Sequence, residues 1–165
     1  MAMERPSTEQ VKKWLFKYKY EERDIDMQLE RLDALESRIT SLGSPAISDM
    51  PKSPSPAQDR VADMICMKID LADEIKIAIE NHRNRRKHIE KAIAELEKPE
   101  EKAVLRARYL DLMDWKSVAG VLFGDRYDFV DREDSYLRRM YKIHSSALVN
   151  LSGTVAEIHD RQVKQ

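Results

Sequence analysis

Asp114-Trp115-Lys116-Ser117-Val118-Ala119-Gly120-Val121-Leu122-Phe123-Gly124 reads as one short helix with its own start and stop. Asp114 offers an N-cap carboxylate to the free amides of the first turn. Gly124 offers the positive φ that a tight turn needs. Between them Trp115, Val118, Ala119 and Leu122 recur as core residues of an amphipathic helix. A helix this short is not stable alone, so its neighbours decide the fold.

Downstream lies a polar stretch, Asp125 to Asp134, and then Ser135 as the expected N-cap of a longer helix. Leu137, Met140, Ile143, Ala147, Leu148 and Leu151 face inward on it. Its outer face carries Tyr136, Arg138, Arg139 and Lys142, with Tyr141 and Ser145 near the edge. Upstream, Pro99-Glu100-Glu101 opens a helix with proline in the first turn and two carboxylates complementing the helix dipole. Ala103, Val104, Ala107, Leu110 and Leu112 supply its apolar positions. Residues 99–151 therefore predict a helix-turn-helix domain, followed by a tail over 152–165.

Residues 1–98 predict a long antiparallel helical hairpin of coiled-coil type. Pro6-Ser7-Thr8 places a helix start near residue 8. Val11, Leu15, Tyr18, Ile25, Leu29, Leu32 and Ile39 then follow three-and-four spacing, with Glu22 and Glu36 in two seam positions. Such a helix spans ~45 Å. Gly43 is its expected stop, and Pro45, Pro51, Pro54 and Pro56 make a Pro/Ser-rich loop of 43–56. The second stripe is Val61, Ile65, Ala72, Ile75, Ile79, His82, Ile89, Ile93 and Leu96, interrupted by Lys68 and Arg86. Neither helix buries its seam alone, so the two pack together. The whole chain is expected to be all-α.

Composition narrows the function classes. The net charge is −1, and basic and acidic residues balance in 1–42, 57–98 and 99–151 alike. A uniformly basic nucleic-acid surface is excluded, which leaves local clusters of cations as the source of any DNA affinity. One such cluster is the run Arg83, Arg85, Arg86, Lys87 and His88, whose simplest reading is a solvated helix face. Cys66 is the sole cysteine and is expected on an apolar stripe with Met64, Ile65 and Met67, so neither an intramolecular disulfide nor a thiolate metal cluster is expected. A reducing cytoplasm, no membrane and no secretory signal are the matching expectations. With four glycines and no phosphate loop, nucleophile elbow or His-Glu-x-x-His helix, the chain is not expected to be an enzyme or to hold a cofactor or metal.

On the last long helix, the residue types suit DNA reading. Long donors near the N-terminal turns reach base edges or phosphates, and hydroxyls add phosphate contacts. The expected contacts are Ser135, Tyr136, Arg138, Arg139 and Lys142, with Lys116 as a supporting phosphate contact. Amphipathic helices with basic outer faces are common, so an ordinary solvated face is the alternative.

Three segments taken in order carry a resemblance: Leu105-Arg106-Ala107-Arg108-Tyr109-Leu110, then Trp115-Lys116-Ser117-Val118-Ala119, then Ile143-His144-Ser145-Ser146-Ala147-Leu148. Together they resemble the C-terminal domain of phage regulators of the ArpU/RinA type, which in turn resembles region four of bacterial sigma factors. The hairpin with its Ser/Pro/Gly-rich break is similar to the N-terminal half of that group. The resemblance implies a phage or prophage transcriptional regulator activating late or packaging genes. It further implies double-stranded DNA as partner, RNA polymerase as a further candidate contact, and a homo-oligomer through the hairpin as a third. One departure stands out: Gly124 to Met140 spans sixteen residues, well beyond the family's spacing, and Asp131, Glu133 and Asp134 in that interval would repel phosphate. Two other readings compete, a small-terminase-like DNA-packaging adaptor and a helical protein-interaction module.

Overall fold

The computed structural model describes residues 6–42 and 56–163. The chain is all-α, with no strand among the described residues. Helix α1, Thr8–Leu42, begins where the sequence predicts. Ser7 and Gln10 form a reciprocal capping box: the Gln10 amide donates to Ser7 Oγ at 3.2 Å, and the Ser7 amide to Gln10 Oε1 at 2.7 Å. Helix α2, Pro56–Ala94, takes Pro56 as its first residue, where the missing N–H costs nothing. The predicted loop up to that proline, with the stop at Gly43, lies outside the described residues.

The chain divides into two compact units, and the division differs from the predicted boundary at 98/99. One unit is Glu21–His82; the other joins the described residues up to Tyr20 with those from Arg83 onward. In the second unit Val11, Leu15 and Tyr18 of α1 and Ile89, Ala92 and Ile93 of α2 share one core with Leu105, Tyr109, Ala147, Leu148 and Leu151. The ends of the two long helices are thus part of the terminal domain's own core. Tyr18 meets Arg86 in this unit, and Glu36 meets Lys68 in the other.

Within Glu21–His82, Ile25, Leu71 and Ile75 are buried, while Leu29 and Ile65, both predicted on the seam, are exposed. Glu36 and Lys68, the polar interruptions of the two stripes, answer each other at 2.8 Å. Cys66 is exposed, beside the exposed apolar side chains of Ile65 and Met67. It falls on a flank of α2 that nothing in this unit covers, along with exposed Ile65 and Ile69.

The other unit continues through α3 (Pro99–Leu105), one wide turn of π-helix (Arg106–Leu110), α4 (Trp115–Phe123) and α5 (Glu133–Val163). Leu112, at φ 54°, is in the left-handed region and turns the chain from the π turn towards α4. The backbone around it is held by the Met113 amide on the Ala107 carbonyl at 2.9 Å. Asp114 caps α4 as predicted, accepting from the Lys116 amide at 3.2 Å and from the Ser117 hydroxyl. A second core forms from Val104, Ala107, Val118, Phe123 and Met140, with Trp115, Leu122 and Leu137 packed against it.

Three local expectations are corrected. Gly124 has φ −58°, not a positive value; glycine is required there because a Cβ would collide with the Gly120 carbonyl oxygen. Helix α5 starts at Glu133, so Ser135 is inside its first turn and is not the cap. The Arg132 carbonyl closes that turn, accepting from the Ser135 amide at 2.9 Å and the Tyr136 amide at 3.1 Å. Finally, α5 runs on through the predicted tail to Val163. Burial of Leu151 and Ser152 and the packing of Val155 on the first core outweigh the ~1 kcal/mol helix penalty of Gly153.

Candidate nucleic-acid interface

The six residues predicted to contact DNA separate into two groups. Ser135, Arg138 and Lys142 are exposed on the outer stripe of α5, and among the described residues neither Arg138 nor Lys142 has an ion-pair partner. Met140, Ala147, Leu148 and Leu151 hold the opposite side of the same helix in the two cores. The stripe is therefore fixed in orientation by packing, within the first three turns of the helix.

Tyr136, Arg139 and Lys116 are engaged elsewhere. Tyr136 is half-buried, its ring 5.1 Å from that of Phe123 and 5.7 Å from that of Phe129. Its hydroxyl donates to Asp128 Oδ1 at 2.6 Å, which corrects its placement on the open face. The same bond, ahead of the effect of Arg132, holds the Asp128 carboxyl below the usual range and pushes the Tyr136 phenol up. Arg139 lies 5.2 Å over the Phe123 ring and 4.0 Å from Glu100. Lys116 reaches Glu133 at 3.5 Å. Each of these side chains would have to leave an acid to meet a phosphate.

The eight residues between Gly124 and α5 form a packed turn. The Arg126 amide bonds the Phe123 carbonyl at 2.9 Å, the Phe129 amide the Arg126 carbonyl at 3.1 Å, and the Arg132 amide the Asp128 carbonyl at 3.1 Å. Phe129 anchors the segment on the second core. Asp125, Asp131 and Asp134 are left exposed beside the start of α5. Glu133 and Asp134 suit the helix dipole there, yet they put negative charge next to the end that a groove-reading helix inserts first.

The motif residues converge on one buried cluster. Arg108 stacks 4.3 Å over Trp115 and donates to the Met113 carbonyl at 2.7 Å, clamping the turn between the π segment and α4. Trp115 meets His144 edge-on at 4.9 Å. Tyr109, buried against Phe16, lies 2.9 Å by its hydroxyl from His144 Nε2. Burial, then the charges of Lys12 and Arg108, push the His144 pKa down to about 4; burial pushes the Tyr109 phenol up to about 12. His144 is thus neutral at pH 7. The ordered segments carry the architecture of the terminal domain and leave the outer stripe to make contacts.

Glu101 is a functional group that the sequence reading did not single out. Its carboxylate is buried and accepts from Ser146 Oγ at 2.7 Å and from Asn150 Nδ2 at 2.8 Å, and Lys98 Nζ is 3.3 Å away. Desolvation raises its pKa, but the Asn150, Ser146 and Lys98 interactions outweigh it and hold the group below its usual value. In the basic run on α2, Arg86 is taken up by Tyr18 at 3.0 Å and Glu90 at 2.9 Å, while Lys87 and His88 are exposed. The described residues hold no group of three His, Cys, Asp or Glu side chains placed for a metal, and no described helix is long and apolar enough to cross a membrane.

No family model matches the chain, and neither a curated protein nor a solved structure matches it. The resemblance to the ArpU/RinA group rests on the sequence alone: the three ordered segments and the hairpin with its Ser/Pro/Gly-rich break.

Proposed function

We propose that the chain is a DNA-binding transcriptional regulator of phage or prophage genes, acting in the cytoplasm of a bacterial host on late or packaging promoters. The observation that supports this reading is the outer stripe of α5. Among the described residues Arg138 and Lys142 have no acidic ion-pair partner, on a helix whose other side is packed onto α4 by Met140 and Phe123. In this reading the stripe enters the major groove, Arg138 meets a base edge or phosphate, and Lys142 and Ser135 add backbone contacts. RNA polymerase and a second copy of the chain are its further partners. Fluorescence anisotropy with duplexes from the regulatory region beside the chain's own gene tests it. Salt-dependent, sequence-preferring binding is expected, and binding unchanged by Arg138→Ala with Lys142→Ala would remove the assignment.

The second reading, a packaging adaptor or helical interaction module, is favoured by a different observation. Met27, Leu29, Leu42, Ile65, Met67, Ile69 and Ile77 are all exposed in the Glu21–His82 unit. Apolar exposure on that scale suits helical partners. A large closed ring in solution, with no salt-dependent DNA affinity in the free subunit, would favour it over regulation.

A further inference from the structure

Two surfaces of the terminal unit have no role in the DNA reading, and they complement each other. The first is the tip of the packed turn. Tyr127 is fully exposed and Val130 is 86% exposed. Apolar side chains this open occur on a segment that is otherwise fixed by three backbone hydrogen bonds, by the Asp128–Tyr136 bond and by half-buried Phe129 packed on the second core. The turn of residues 125–132 carries three carboxylates against two arginines, with Asp125 and Asp131 exposed, and Glu133 and Asp134 follow in the first turn of α5. The tip is a rigid, acidic peg with two apolar ends, and little conformational freedom is lost when it binds.

The second is a cleft of about 390 Å³ beside α3, the π turn and α4. Ala103, Ala107, Met113 and Val121 give it an apolar floor, and Val121 is 58% exposed. Lys102 and Arg106 stand one turn apart on its rim, against the single carboxylate of Asp111. Among the described residues neither cation has an ion-pair partner. An aromatic or aliphatic side chain flanked by carboxylates is the ligand that such a cleft selects.

We infer that the cleft of one copy receives the Tyr127–Val130 tip of a second copy, making a head-to-tail contact between chains. Tyr127 and Val130 cover the floor at Met113 and Val121, and Asp125 and Asp131 face Lys102 and Arg106. Because peg and socket are different surfaces, the contact is heterologous, and its repetition generates a ring or a filament rather than a closed pair. It is independent of the outer stripe of α5, so it stands or falls apart from DNA binding.

Complementation between variants of the full chain tests it. Arg106→Glu spoils the socket and Tyr127→Ser with Val130→Ser spoils the peg, all at exposed positions that leave the fold intact. By sedimentation velocity at rising concentration, the wild type is expected to form a series of oligomers, and each variant alone to weaken that association by roughly tenfold or more. Mixing the two variants restores one contact, since the socket variant still has a peg and the peg variant still has a socket. A heterodimer that appears only in the mixture is the expected result. Self-association unaltered by either variant would overturn the inference. So would an Arg106→Glu chain that associates normally but loses DNA affinity, which would make the cleft a phosphate site.

Discussion

The Tyr109 hydroxyl and His144 Nε2 lie 2.9 Å apart, joining the π turn to α5 across 35 residues of sequence. The contact is buried, and both groups are held in their neutral forms. Tyr109→Phe keeps the ring and leaves the histidine nitrogen without its partner. A loss of ~1 to 3 kcal/mol is expected in urea unfolding, or a few degrees in melting temperature for a chain of this size.

Stability should fall on mild acidification because of His144. Its folded pKa is about 4 against an ordinary value of 6.5, so between these limits the unfolded chain binds the proton and the folded chain does not. The stabilisation is complete above pH 6.5 and declines as pH falls to about 4, by up to roughly 3 kcal/mol. Denaturation curves at half-unit pH steps check this. His144→Gln should remove that part of the slope, and an unchanged slope would refute the assignment.

Glu101→Ala should be among the costlier single changes, at ~2 to 4 kcal/mol, since it strips partners from Ser146 and Asn150 in a half-buried setting. The wild-type carboxyl, held below its normal pKa, contributes stability above that normal value and loses it as pH falls through the folded pKa. Comparing the two chains by urea unfolding at neutral pH and in acid should show the difference between them shrinking in acid.

Two glycines four residues apart should respond with opposite sign. A Cβ on Gly120 meets nothing within 4 Å, so Gly120→Ala in the interior of α4 should stabilise by ~0.5 to 1 kcal/mol. Gly124→Ala forces a methyl against the Gly120 carbonyl and should destabilise by ~1 to 3 kcal/mol. Thermal melts of the two variants decide the matter.

In DNA binding, the cations should not be equivalent. Arg138→Ala is expected to cost ~1 to 3 kcal/mol and, if the side chain reads a base, to relax preference at one position. Lys142→Ala should weaken all sequences alike and lower the salt slope by about one. Arg139→Ala and Lys116→Ala should cost less, because each side chain already has an acid to satisfy it. Anisotropy titrations at two salt concentrations separate these cases.

Much of the fold is legible in local patterns. Ser7, Asp114 and the inward row on α5 follow from capping and periodicity, and even the polar seam positions Glu36 and Lys68 find their meaning in each other. Long-range relations are what the sequence does not write down. Glu101 looks like an ordinary first-turn carboxylate because its partners, Ser146 and Asn150, come 45 and 49 residues later. Tyr136 occupies a polar-face position by spacing, but its hydroxyl finds Asp128 only once the intervening turn is packed. The unit boundary was hidden for the same reason: periodicity shows that Val11 and Ile93 are buried, and not that Leu151 is buried with them.

Helix α5 also joins the two cores. It enters the second core at Met140 and the first at Leu151 without a break, and from Arg138 to Leu151 the rise is about 20 Å of continuous backbone. No break interrupts that rod among the described residues, so one helix carries both the outer stripe and Leu151, which shares its core with Val11 and Ile93 at the ends of both long helices.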